Sequence, residues 1–169
     1  VGLVQIGSLE LHGWGARADK VDRPDRIVFD LDPGEGVQWK QVIQAARDVR
    51  ERLGELGLES FVMTSGGKGL HVVVPLGRRQ GWDVTYPFAK AFAKAFAKRD
   101  PERLTATASK AKRKGKVFVD YGRNSRGATS IVPYSTRARA AAPVATPLAW
   151  DELAPKIKAD SFDIESLPG

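Results

Sequence analysis

The chain has 169 residues, enough for one domain with a sizeable core. Its 42% apolar and 28% charged residues are ordinary for a globular protein, and no apolar run approaches the ~18 residues of a membrane span. It has no cysteine, which excludes disulfide frameworks and thiolate metal sites and makes a reducing cytoplasm the expected location, and its net charge is +7.

Residues 1–11 (VGLVQIGSLEL) hold enough apolar residues for a strand, and residues 12–26 read as loop, leaving His12 as a lone, exposed histidine. Residues 27–32 (IVFDLD) alternate with period 2, the signature of a strand, which Pro33-Gly34 ends. Side chains two apart share a face of a strand, so Asp30 and Asp32 project together. Two like charges on one face of a half-buried strand require a cation between them. Apolar residues at 39, 42, 43, 46, 49, 53 and 56 keep helical spacing, and Gly57 ends that helix. Residues 61–75 read as strand, Gly-rich turn and strand (FVMT, SGGKG, LHVVVP).

A second helix, capped by Asp83, is expected to run to about Arg99. Within it FAKAFAKAFAK sets Phe88, Phe92 and Phe96 on one stripe and Lys90, Lys94 and Lys98 on another, the pattern of a packed amphipathic helix. Residues 105–116 form a basic loop, strands follow at 117–121 and 128–133, and a short helix opens near Trp150 beyond Pro143 and Pro147. The order predicts one mixed α/β or α+β domain. Residues 100–140 hold ten Lys or Arg against three acids, so the whole net charge lies in about a quarter of the chain. One basic segment in an otherwise neutral chain points to a polyanionic partner, nucleic acid or nucleotide phosphate ahead of a membrane surface.

Three constellations can carry chemistry. Asp30 and Asp32 can hold Mg²⁺ or Mn²⁺ through oxygen while leaving positions for phosphate and water. Asp120, a lone acid in the apolar strand VFVDY, either joins them as a third ligand or pairs with a neighbouring arginine. The TSGGKGLH loop fails as a Walker motif, since Val62 stands where a glycine is needed and Gly69 where a hydroxyl is needed. Its glycines nonetheless expose backbone N–H groups, and Ser65, Lys68 and His71 add a hydroxyl, a cation and an imidazole suited to phosphate. The KAKRKGK run (Lys110, Lys112, Arg113, Lys114, Lys116) can grip a nucleic-acid backbone, with Arg113, Arg123 and Arg137 suited to bidentate phosphate contact.

LELHGWGARADKVDRPDR, FDLDPGEG, TSGGKGLHVVVPL and SKAKRKGKVFVDYGRNSRGATSIVPYSTRARAAAPVATPLAWDEL together resemble the polymerase domain of bacterial ligase D, of the archaeo-eukaryotic primase superfamily. The resemblance implies a primase-polymerase-type mixed or antiparallel sheet flanked by helices in a single domain over residues 1–169. It also implies template-directed addition of nucleotides, usually ribonucleotides, to DNA 3′-hydroxyls at gaps or broken ends during non-homologous end joining. Two Mn²⁺ or Mg²⁺ ions on Asp30, Asp32 and Asp120 are implied, with Ser65, Lys68 and His71 on the incoming triphosphate. His12, Arg123 and Arg137 match residues of that pocket, His12 on the resemblance alone, and Arg113 matches the pocket or its basic loop. DNA, NTP or dNTP, Ku and a ligase domain are the implied partners, and a nucleoid-associated cytoplasmic location follows. The members of the family begin well before LELHGWG, with a region that recognises DNA ends. The rival readings are a non-catalytic nucleic-acid-binding module, a D-x-D glycosyltransferase and a nuclease. The basic loop and third strand aspartate weigh against the glycosyltransferase, and the phosphate cradle against the nuclease.

Overall fold

A computed structural model describes residues 2–167. In chain order its first elements are α1 (Gly2–Gln5), β1 (His12–Trp14), β2 (Arg26–Pro33), α2 (Trp39–Glu55), β3 (Phe61–Thr64) and β4 (Leu70–Pro75). They are followed by α3 (Trp82–Arg99), β5 (Leu104–Thr105), β6 (Val117–Asp120), β7 (Thr129–Ile131) and β8 (Pro147–Leu148). Six strands form one mixed sheet in the order β5-β6-β2-β4-β3-β8, antiparallel except for the β5–β6 pair.

Alternation along β2 divides the molecule into two sides. Ile27, Phe29 and Leu31 join Leu70, Val72 and Val74 of β4 and Val117 and Val119 of β6 in one core cluster. Val42, Ala46 and Val49 of α2 and Phe92 and Phe96 of α3 close the same cluster, so both long helices pack on that side. Phe29 and Phe92 are 4.8 Å apart between ring centres. Burying each such side chain contributes about 1.5–3 kcal/mol. The other face of β2, which presents Asp30 and Asp32, is left to strands, loops and solvent.

Helix α2 starts with a reciprocal cap between Gln38 and Gln41, and Leu56, expected on its apolar face, lies just past its end and is exposed. Asp83 does not cap α3: Gly81 holds that position, and Asp83, itself exposed, lies in the first turn, where the helix dipole favours an acid. The expected strand in residues 1–11 is not formed among the described residues, which exclude Val1. Gly2–Gln5 make a single helical turn, and the strand starts at His12 in the stretch expected to be loop. Here β1 pairs with β7 as a separate two-stranded ribbon, His12 opposite Ile131. No helix opens at Trp150; the Glu152 carboxylate accepts from the Ala149 N–H, and Leu153 enters the core completely. No described helix is long and apolar enough to cross a membrane.

Candidate active site

The antiparallel register sets three titratable groups in a row across the sheet. Asp30 lies directly opposite His71 on β4 and directly opposite Asp120 on β6. Directly opposed residues share a face with their Cβ atoms about 4.5–5.5 Å apart, so His71, Asp30 and Asp120 are lateral neighbours. Asp32 follows on the same face, opposite Phe118. Asp30 is 6% exposed and has two nitrogen partners: His71 Nε2 at 3.5 Å from Oδ1 and the Arg123 guanidinium Nε at 3.6 Å from Oδ2. Arg123 Nε is also 4.0 Å from Asp120 Oδ2, so it bridges Asp30 and Asp120 rather than Asp30 and Asp32, the pair expected to share a cation.

Burial by itself would raise the Asp30 pKa, but His71 and Arg123 outweigh it and hold the carboxyl below its ordinary value. Asp32 goes the other way. Burial, then the charges of Asp30 and Asp120, push its pKa up. A carboxyl cluster that disfavours its own full ionisation is chemically suited to a hard divalent cation, which would favour the ionised form. Among the described residues, however, no three acidic or histidine side chains stand close enough together to hold one ion as they are. Arg123, reaching between Asp30 and Asp120, occupies the place where such a charge would act.

A cleft of about 190 Å³ opens over the Asp30–His71 part of this row, lined also by Asp32, Arg123, Ser65, Gly67 and Lys68; Asp120, beside Asp30, is not among its lining residues. Ser65 Oγ accepts from the N–H groups of Gly67 (3.2 Å) and Gly69 (3.1 Å), so its first task is to shape the loop. A Cβ on Gly69 would lie 2.2 Å from the Leu31 carbonyl oxygen, so this loop approaches β2 as closely as only glycine permits. Lys68 is exposed at the loop tip and lines the cleft.

Arg137 lines the cleft beside the loop and is braced twice, donating to the Ser65 carbonyl and to Glu10 Oε1, both at 3.1 Å. His12 is on β1, with Nε2 3.0 Å from Glu10 Oε2, and also lines the cleft. Glu10 therefore ties two cleft residues together. The His12 hydrogen bond, the Ala138 N–H and Arg137 bring its pKa down to about 2 against the opposing effect of burial. Sequence reading missed Glu10, and it missed Arg139, which also lines the cleft.

The structure divides the basic run. The Arg113 guanidinium stacks 3.6 Å over Phe118 and donates to the Ala108 carbonyl, beside Asp32, whose pKa it lowers slightly. Lys112, Lys114 and Lys116 instead line a groove against α3, and Lys110, in the turn Lys110–Arg113, lines neither space. Asn124 was also missed. Fully buried beyond the end of β6, its amide accepts from the Val28 N–H (2.7 Å) and donates to the Val28 carbonyl (2.8 Å). It thus continues the ladder alongside β2 and anchors the turn Gly122–Asn124 that presents Arg123.

A model of the LigD primase-polymerase domain matches residues 1–169. The chain belongs to this family. It is 46% identical over 168 residues to the multifunctional non-homologous end joining protein LigD of Pseudomonas aeruginosa, covering 99% of the chain and 20% of that protein. It is 41% identical over 164 residues to the LigD protein of Mycolicibacterium smegmatis, covering 95% of the chain and 22% of that protein. The polymerase domain of Mycobacterium tuberculosis ligase D, solved in complex with DNA, matches with a TM-score of 0.86 and 38% identity. That match covers 93% of this chain and 58% of that one. The chain thus spans about one fifth of the length of these curated LigD relatives. Its mixed α/β fold is that of the LigD polymerase domain.

Proposed function

We propose that the chain is a nucleotidyl transferase that extends DNA 3′-hydroxyls on a template, using ribo- or deoxyribonucleotides, at gaps or ends during end joining. The observation that carries this reading is the pair Asp30 and Asp32 lining one cleft with Lys68, Arg123, Arg137 and Arg139, with Asp120 directly beside Asp30 on the next strand. The family supports it, as does the DNA held by the Mycobacterium tuberculosis domain. Two divalent cations, Mn²⁺ or Mg²⁺, held by Asp30, Asp32 and Asp120, would supply an acidified 3′-hydroxyl and charge neutralisation on the phosphates.

The remaining work falls to the chain's own side chains. Lys68, Arg137 and the N–H groups of the Gly-rich loop grip the triphosphate and offset charge building on the leaving pyrophosphate. Ser65 keeps that loop in shape, and His71 fixes the orientation of Asp30 from the neighbouring strand. Arg123 neutralises the acids before substrate arrives and turns toward phosphate afterwards. Arg113 and the loop lysines hold the DNA backbone, while Ku, a ligase domain and a nucleoid location complete the setting.

Primer extension on a gapped duplex with Mn²⁺ and NTPs or dNTPs tests the reading. Template-matched addition is expected, and Asp30→Ala or Asp120→Ala abolishes it while the circular dichroism spectrum is retained. Normal extension by either variant would sink the metal assignment. Salt-sensitive DNA binding that ignores divalent metal, with no extension, would establish the non-catalytic module instead.

A further inference from the structure

The lysine stripe of α3 has no task in the proposed reaction. Phe92 and Phe96 are buried in the core, which turns Lys90, Lys94 and Lys98 outward, all three exposed. The stripe spans about 12 Å at the helical rise of ~1.5 Å per residue. Like charges at i,i+4 repel one another on a helix, an effect the dipole offsets only for Lys98 in the last turn. Among the described residues, no ion pair engages any of the three. Asp100, at the end of the helix, is held by Arg103 instead.

The stripe does not stand alone. Lys94 and Lys98 form one wall of a groove of about 510 Å³, and Lys112, Lys114 and Lys116 form the other. Its floor includes Ala97 and Leu104, and no acid lines it. Lys116 Nζ is fixed by the Pro101 carbonyl at 2.6 Å, which holds the loop wall in place. This space is separate from the acid-lined cleft, with which it shares no residue.

The geometry points to a second contact surface, a track for the phosphate backbone of duplex DNA along α3, with Lys90, Lys94 and Lys98 as its new members. Successive lysines recur at one helical turn, a row of point charges suited to consecutive phosphates of one strand. No aromatic ring lines the groove, so it offers nothing on which an unpaired base could stack, and it reads no sequence. The stripe continues toward the acids through Lys90, whose Nζ is 6.0 Å from the Tyr86 ring, itself 5.9 Å from the ring of Tyr121. Tyr121 directly follows Asp120. The track thus leads away from the site along the helix and holds duplex outside the cleft. This inference rests on the reading of the chain as a DNA-handling enzyme.

The test is a titration of a labelled blunt duplex across a range of salt, comparing the wild type with Lys90→Gln/Lys94→Gln/Lys98→Gln. Glutamine keeps the helix, which circular dichroism verifies, and Lys40→Gln/Lys156→Gln/Lys158→Gln, three exposed lysines outside the groove, controls for the same loss of net charge. The triple variant is expected to bind duplex at least about tenfold more weakly at low salt. Its log–log salt slope should shrink by about 2–3, near 0.9 per phosphate released. A slope equal to that of the wild type, or an equal change in the Lys40/Lys156/Lys158 control, overturns the track. Unchanged DNA affinity with lost binding to phosphatidylserine vesicles overturns it in favour of a membrane surface. Mn²⁺-dependent binding of a fluorescent nucleotide, measured on the same samples, separates the two readings. If it is absent while the triple variant loses slope, the catalytic reading fails and the track stands.

Discussion

Asp30 and Asp120 face each other across the β2–β6 ladder, and Arg123 lies 3.6 Å from the first and 4.0 Å from the second. The chain thus supplies its own cation to the position where the proposed reaction brings metal. Arg123→Gln is expected to lower stability by about 1–3 kcal/mol without metal, because a buried carboxylate loses a charged partner. The same change should tighten Mn²⁺ binding in the absence of nucleotide, since the competing charge is gone. Calorimetric titration checks the sign, and weaker Mn²⁺ binding in the variant would remove Arg123 from this role.

Asn124 makes a separate demand on the site. Asn124→Ala leaves the N–H and carbonyl of Val28 buried without partners and is expected to cost about 2–4 kcal/mol in urea unfolding. Asn124→Asp restores the acceptor but not the donor and should recover only part of the loss. A change below about 1 kcal/mol for the alanine variant would mean that water or a relaxed strand satisfies Val28.

Gly34 holds the basic loop against the Asp-Pro-Gly turn. A Cβ there would lie 1.8 Å from the Arg113 carbonyl oxygen, in a contact that includes Gly34 N–H to Lys116 O at 3.0 Å and Gly115 N–H to Glu35 O at 2.8 Å. Gly34→Ala should therefore release the loop, speeding trypsin cleavage at Lys112–Lys116 and weakening DNA binding more than nucleotide binding. Cleavage at the wild-type rate would show that the loop is held elsewhere.

Glu10 gives the pH dependence. Its carboxyl titrates at about 2 in the folded protein against an ordinary value of 4.5. A lowered folded pKa means stability that is complete above the unfolded value and is lost as pH falls through the folded one. The stability difference between wild type and Glu10→Gln should be constant above about pH 5 and shrink steadily toward pH 2. A difference that persists at pH 2 would place the coupling in another group.

What could be read from the sequence was local. Asp30, Asp32 and Asp120 stood out because acids at period 2 in apolar strands break the pattern, and the Gly-rich turn between β3 and β4 announced itself by composition. The identity of the compensating cation was not readable, because ten Lys and Arg crowd the same quarter of the chain. Glu10 escaped notice because Arg137, one of its partners, is 127 residues away, and Asn124 because Val28 is 96 residues away. The β1 strand is only His-Gly-Trp, too short to show a period, and its existence depends on β7.

The order β5-β6-β2-β4-β3-β8 has a consequence for how such a protein can change over time. Asp30, Asp120 and His71 occupy three adjoining interior strands, each secured by a neighbour on either side. The cations above them sit largely on connections between strands. Insertions, deletions and changes of charge in those connections leave the ladder intact. The acidic half of the site can therefore be inherited nearly unaltered while the cationic half above it is rewritten to suit a different ligand.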